Sequence, residues 1–247
     1  MRFSILTLNP GFFRGATDEG MIRVARQKGL LDVVVVPIRD FTVDRYGTTD
    51  DYPYGGGAGM VMKAEPILRA YESVVRDAGE AKSRVLVTSP QGRGFTQAFA
   101  GELALERAIV ILCGRYKGID ERVIPLLGAE EISVGDYVLS GGEPAAITIL
   151  DAVARLLPGV LGDAESAEAD SFSEPLLDAP VYTRPEDVAG HRVPDVLLSG
   201  DHEKIRLWRR REAIRRTWIK RPDLLLGRTL SKEDKRLLDE IKKEEER

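Results

Sequence analysis

Three glycine-bearing segments have the residue types to hold a ligand through the backbone: Ser89-Pro90-Gln91-Gly92-Arg93-Gly94, Gly114-Arg115-Tyr116-Lys117-Gly118 and Ser140-Gly141-Gly142-Glu143-Pro144. Each follows a strand-like run. Glycine lets a chain come close to a ligand and present free N–H groups, and ligands of α/β sheets collect at the carboxyl ends of strands. One such segment alone reads more readily as an ordinary strand-to-helix turn; three in succession point to a shared ligand. Neither standard phosphate motif is met. Gly92-Arg93-Gly94-Phe95-Thr96-Gln97 has two glycines of the dinucleotide fingerprint and lacks the third. The segment Tyr54-Gly55-Gly56-Gly57-Ala58-Gly59-Met60 lacks the Lys-Ser/Thr ending of a P-loop.

Nucleophilic catalysis finds little material. Cys113 closes an apolar run from Ile109 to Leu112, the setting of an inert buried thiol. His191 and His202 have no recognisable Ser or Cys partner. A single Cys and two His exclude internal disulfides and argue against a zinc cluster, so no metal ligands are assigned. Among the carboxylates, Asp170 stands beside Ser171-Phe172 in an acidic stretch. Arg155 is a candidate cation, although a cation near a helix C-terminus also complements the helix dipole.

The elements that must position these groups alternate. Runs at 3–8, 33–38, 85–88 and 109–113 are short, β-branched and mostly unalternating, as in parallel strands buried on both faces. Helical patterns lie near 18–28, 64–78 and 96–107, the last capped by Thr96. A further strand over 131–139 leads into a helix at 145–157, where Thr148, Asp151 and Arg155 form one polar stripe on an otherwise apolar cylinder. The fold class expected is α/β, with a parallel sheet covered on both faces.

The chain has 247 residues, 43% hydrophobic and 31% charged, enough for one or two domains of a soluble protein. No run approaches the ~20 apolar residues of a spanning helix, and the N-terminus lacks a secretory layout, so a cytoplasmic location is expected. The net charge of −4 hides strong segregation. Between Leu156 and Thr183 there are six acids and no Lys or Arg. Residues 201–222 carry nine Lys/Arg against three Asp/Glu, a footprint for an anionic partner. Helices are expected at 201–221 and 231–245, the second with Ser231 and Asp234 as a capping box and Leu230, Leu237, Leu238 and Ile241 on one face. A helical wheel of the first puts Arg206, Arg209, Arg210, Arg216, Lys220 and Arg221 on one arc, opposite Ile205, Leu207, Trp208, Ile214, Trp218 and Ile219. That arc could face phosphates or simply solvent. The residues alone reach no further than an α/β enzyme with a smaller helical domain suited to a shaped RNA.

The order of these motifs resembles the bacterial tRNA (guanine37-N1)-methyltransferase family, the TrmD-like members of the SPOUT superfamily, over nearly the full chain. The resemblance is carried by residues 51–60, by Gly114-Arg115-Tyr116-Lys117-Gly118-Ile119-Asp120-Glu121-Arg122, and by residues 133–143. It continues through Asp170-Ser171-Phe172, Tyr182-Thr183-Arg184-Pro185 and residues 194–202. It implies a deep trefoil knot, which the general rule against threaded chains would exclude. It divides the chain into a knotted methyltransferase domain (1–160), a flexible acidic lid (161–175) and a helical tRNA-binding domain (176–247).

The resemblance further implies that S-adenosylmethionine lies in the knot loops, and that a homodimer builds each active site across its two subunits. Cofactor contacts fall on Thr88, Ser89, Pro90 and Gln91; on Gly114, Arg115, Tyr116 and Gly118; and on Ser133, Val134, Gly135, Tyr137, Val138, Leu139, Gly141, Gly142 and Pro144. Asp170 matches the general base and Arg155 the guanidinium that orients the guanine. Tyr54, Gly55, Gly56 and Gly57, with His202, Arg206, Arg209 and Arg210, are expected to meet tRNA. Whether Tyr52, Tyr54 and Tyr116 touch ligand or pack is left open by the sequence. Lys117 stands where many relatives have Glu, and Ala58 where Pro is common, so contacts of that Glu do not carry over. Magnesium is associated with the family, but no carboxylate cluster here assigns it a site. The competing readings are a SPOUT enzyme acting on a ribose 2′-hydroxyl, which needs no base such as Asp170, and a non-catalytic RNA-binding protein.

Overall fold

The computed structural model describes residues 1–78, 83–161, 171, 172, 174, 176–227 and 229–245. The chain divides into two compact units, Met1–Gly162 and Asp163–Arg247.

In the first unit, five parallel strands form a sheet in the order β2-β1-β6-β5-β7: β1 (Arg2–Thr7), β2 (Asp32–Pro37), β5 (Arg84–Gly94), β6 (Ala108–Cys113) and β7 (Glu130–Ser133). The central strand β6 is buried at every position. Ile109, Ile111 and Cys113 turn to one face, joined by Phe3 and Ile5 and by residues of α1 (Gly20–Gln27), α3 (Gln97–Ala104) and α5 (Glu143–Leu156). Val110 and Leu112 turn to the other, against α2 (Ala64–Ala78) and α4 (Val123–Leu127). Alternation of side chains across a pleated strand thus divides one apolar run between two cores. The short pair β3 (Asp50–Asp51) and β4 (Val61–Met62) is antiparallel.

Two strand limits differ from those the sequence suggests. β5 does not end at Thr88 but continues to Gly94, with a register shift against β7 between Thr88 and Arg93. Pro90 and Gly92 give that stretch the composition of a turn while it runs as bulged strand. Conversely β7 stops at Ser133, where Gly135 takes φ +148° and the Ser133 hydroxyl bonds the Gly135 backbone. Thr96 caps α3 as expected, its hydroxyl accepting the Phe99 N–H at 3.2 Å.

The second unit contains a two-stranded pair, β8 (Asp187–Val188) and β9 (His191–Arg192), then α6 (Asp195–Leu198), α7 (His202–Lys220) and α8 (Lys232–Glu245). Asp201 caps α7 by accepting the Lys204 N–H, and Ser231 caps α8 by accepting the Asp234 N–H at 3.0 Å. Leu176, Ile214, Leu237, Leu238 and Ile241 form its core, with Leu230 packed against them. Among the described residues no helix is long and apolar enough to cross a membrane.

Candidate active site

Thr88 within β5 and the carboxyl ends of β6 and β7 converge on one point. Thr88 ends the first register of β5, and its hydroxyl donates to the Leu112 carbonyl at 3.2 Å and accepts the Gly114 N–H at 3.3 Å. Gly142, entering α5, donates its N–H to the Gly114 carbonyl at 2.8 Å, and Arg115 bridges to Gly141. A Cβ on Gly142 would lie 1.8 Å from Thr88 Oγ1 and 2.9 Å from Cys113 Cα, so only glycine permits this approach.

Around this junction opens a cavity of about 330 Å³. Every residue that the resemblance assigns to the cofactor lines it except Pro144, which borders an adjoining hollow with Asn9, Phe12, Arg115 and Glu143. The three glycine segments, far apart in sequence, therefore share one space. Ile119, Glu121 and Glu131 also line it and were not singled out from the sequence. Their polar or apolar character alone carried no signal without the strand ends to place them.

The glycine-rich segment at 54–60 is tied to the same cavity wall. Lys117 donates its N–H to the Met60 carbonyl at 3.0 Å, Met62 to Gly118 at 3.0 Å and Asp120 to Met62 at 2.9 Å. Lys117 also runs its stem against Gly59. Tyr54 is fully exposed, and Gly55, Gly56 and Gly57 all take positive φ. Tyr116 lines the cavity at φ +60°, and its phenol is held above its ordinary pKa by a hydrogen bond to Asp50, with burial adding to the effect. Tyr52 is exposed.

Sequence reasoning did not assign Glu143. It is 2% exposed at the first turn of α5, and one carboxylate oxygen accepts the Thr7 hydroxyl at 2.8 Å and the Asn9 amide at 3.0 Å. An acid beside Pro144 reads in sequence as a partner of the helix dipole, which hides its link to β1. Burial pushes the Cys113 thiol well up, and the nearby charge of Glu143 pushes it further, as suits an unreactive thiol.

Of the expected catalytic pair, Arg155 lies exposed on the last turn of α5, on the same stripe as exposed Thr148 and Asp151. Asp170 falls outside the described residues. Among the described residues no group of three or more His, Cys, Asp or Glu is placed to hold a metal ion.

In the second unit the basic arc of α7 needs correction. Ile214 and Thr217 are fully buried while Trp218 and Ile219 are exposed, so the packed face runs through 210, 213, 214 and 217 rather than opposite the arginines. Arg210 points into the unit. It forks onto Asp234, which is 4% exposed, at 2.7 and 2.9 Å, and also meets Glu174. Arg206 pairs with Glu203 and Glu233, Arg211 with Glu244, and Arg215 with Glu245. Much of the local positive charge is thus neutralised by carboxylates of α8. His202 and Arg209 are exposed.

Comparison with known proteins agrees over nearly the whole length. A family model described as tRNA (Guanine-1)-methyltransferase TrmD matches residues 1–227. A protein of Citrifermentans bemidjiense named tRNA (guanine-N(1)-)-methyltransferase is 53% identical over 243 residues, 98% of this chain and 97% of its own. Proteins of the same name from Dictyoglomus turgidum and Persephonella marina are each 50% identical over 244 residues, covering 99% and 98% of this chain and 98% and 95% of theirs.

Proposed function

The chain belongs to the tRNA (guanine-1)-methyltransferase family, and from that membership we propose how its residues carry a methyl group to N1 of guanine 37, beside the anticodon. It is a methyltransferase acting on tRNA guanine N1. The observation that carries the rest is the junction of Thr88, Gly114 and Gly142 with the cavity around it.

S-adenosylmethionine fits this cavity in chemistry. The walls offer glycine backbone at Gly114, Gly118, Gly135, Gly141 and Gly142, apolar surface from Val134, Val138 and Leu139, and hydroxyls from Ser89 and Ser133. When bound, it supplies a sulfonium methyl group open to attack by a nitrogen lone pair. The protein must then expose that lone pair, because neutral guanine carries a proton on N1. Asp170 accepts this proton as general base. Negative charge spreads to O6, where the Arg155 guanidinium stabilises it and fixes the ring plane. A methyl group supplied by a bound sulfonium would pass directly to N1, with no covalent enzyme intermediate.

A deep trefoil knot is the topology proposed for the first unit. It rests on family membership. A homodimer with shared active sites is proposed with it, as is a cytoplasmic location beside its tRNA. The domain limits proposed are 1–160 and 176–247, with 161–175 as the acidic lid. Tyr54 to Gly57, His202, Arg206 and Arg209 are proposed to meet the anticodon branch, where loop bases are already unstacked. Arg210 is left out of that set because its guanidinium is committed to Asp234 and Glu174. Magnesium remains without an assigned residue.

The test incubates the purified chain with methyl-labelled S-adenosylmethionine and two tRNA transcripts that differ only in guanine or adenine at position 37. N1-methylguanosine at that position, in the guanine transcript alone, is expected. Label elsewhere would overturn the position, and label on ribose would overturn the base chemistry.

A further inference from the structure

Among the described residues two cations line the cavity, Arg115 and Lys117, and neither forms an ion pair with a described carboxylate. Other arginines of the first unit are committed. Arg122 forks onto Asp120 at 2.8 and 2.6 Å, Arg84 onto Glu130 at 2.8 and 2.9 Å, and Arg93 pairs with Glu102. Arg115 borders both the cavity and the adjoining hollow, whereas Lys117 is exposed. The turn that carries Lys117 is held firmly. Tyr116 before it takes φ +60° and Gly118 after it φ +135°. Gly118 donates its N–H to the Arg115 carbonyl at 3.0 Å, and the bonds from Lys117 to Met60 and from Met62 to Gly118 strap the turn to the glycine-rich segment. A left-handed residue such as Tyr116 costs conformational energy and persists where its surroundings hold it.

The Lys117 side chain is placed as firmly as its backbone. A Cβ on Gly59 would meet its Cγ, Cδ and Cε at 2.8, 3.8 and 3.6 Å, so the stem lies along Gly59, itself at φ +94°. The ammonium is one bond beyond Cε and stands beside the glycine-rich segment, whose residues 54–59 are all exposed. Holding a lysine stem costs rotamer freedom, and no carboxylate among the described residues offsets it. The anion that suits this ammonium comes from outside the protein. A sulfonium methyl donor is itself positive, so a further cation in the wall repels it until an anion arrives with the substrate. Transfer RNA brings one phosphate with every nucleotide, and a base that enters the cavity carries its phosphates to the rim.

We propose that Lys117 binds a backbone phosphate flanking the guanine to be methylated, and so seats the RNA strand along the glycine-rich segment at the mouth of the cavity. This rests on the reading of the cavity as the place of methyl transfer. Lysine meets a phosphate as a point charge, which fixes the strand's position without reading its sequence. Glycine backbone beside it lets the strand come close.

The experiment uses the full chain with the guanine transcript and with synthetic anticodon stem-loops of the same sequence. Lys117→Gln keeps the stem and removes the charge, and Lys117→Arg keeps both. Lys117→Gln is expected to weaken tRNA binding about fivefold at low salt and to lower the slope of log K against log salt by about 0.7–0.9, with Lys117→Arg close to the parent. Tm and the Kd for S-adenosylmethionine by calorimetry are expected to stay as in the parent. Two stem-loops each carry one uncharged methylphosphonate, on the 5′ or the 3′ side of the guanine. One of them is expected to bind the parent about fivefold more weakly, yet to cost Lys117→Gln nothing further. An unchanged salt slope, a loss confined to cofactor affinity, or losses that multiply with both methylphosphonates would each overturn the proposal. Mapping the methylated product keeps the two readings apart. N1-methylguanosine at that guanine together with multiplying losses removes only the Lys117 contact, whereas a parent that transfers no methyl group there removes the reading of the cavity and the contact with it.

Discussion

The N–H of Gly142 donates to the carbonyl of Gly114 at 2.8 Å, which ties the chain entering α5 to the chain leaving β6. Thr88 accepts the N–H of the same Gly114, so segments 26 and 28 residues away in sequence close on one residue. The cavity's shape depends on that closure.

Replacing Gly142 by Ala should therefore act on ligand binding as well as stability. A Cβ there meets Thr88 Oγ1 at 1.8 Å, and overpacking of this kind costs about 1–3 kcal/mol. Gly142→Ala is expected to weaken S-adenosylmethionine binding at least tenfold by calorimetry. Gly94→Ala, where a Cβ meets nothing within 4 Å, is the control and should bind as the parent does. Equal affinities in both variants would show that the junction does not shape the site.

Glu143 invites a second substitution. With Glu143→Ala, the buried Thr7 hydroxyl and the Asn9 amide lose their shared acceptor. A buried donor left unpaired costs about 1–3 kcal/mol. Urea unfolding should show a loss in that range, and Glu143→Gln, which keeps one acceptor oxygen, should lose less. A Glu143→Ala chain as stable as the parent would mean that water replaces the carboxylate.

Sheet and site were legible to different depths, for physical reasons. The run Ala108–Cys113 announces a central strand because six consecutive buried positions leave no room for polar residues. The stretch after Thr88 misleads because Pro90 and Gly92 have turn chemistry, yet a bulge lets them continue the strand. The α7 wheel misleads for another reason. Arginine has a long stem and a fork that can satisfy buried carboxylates, so a row of arginines need not face solvent. Only the partners, Asp234 and Glu174, reveal which way Arg210 turns, and they are distant in sequence.

The Arg210–Asp234 pair also sets a pH dependence. The Arg210 guanidinium holds the Asp234 carboxyl below its ordinary range, against the opposing effect of burial. A group whose pKa is depressed in the folded state contributes stability above its unfolded pKa, here 3.8, and loses that contribution as pH falls through the lower folded value. The parent should therefore outlast Asp234→Asn in urea at pH 7, with the gap narrowing below about pH 4. A gap unchanged down to pH 2 would show that the pair is not the source of the difference.

Arg209 tests which cations of α7 are left for RNA. It is exposed and stands outside the ion pairs that occupy Arg206, Arg210, Arg211 and Arg215. A cation that neutralises one phosphate releases counterions, and removing it lowers the slope of log K against log salt by about 0.7–0.9. Arg209→Ala is expected to weaken tRNA binding and to reduce the slope by about that amount. Arg206→Ala should change it less, since Glu203 and Glu233 already compete for that guanidinium. Filter binding of the guanine transcript from low to moderate salt measures both. Parallel lines for the parent and Arg209→Ala would place the RNA contact elsewhere and leave the exposed cations of α7 as solvated surface.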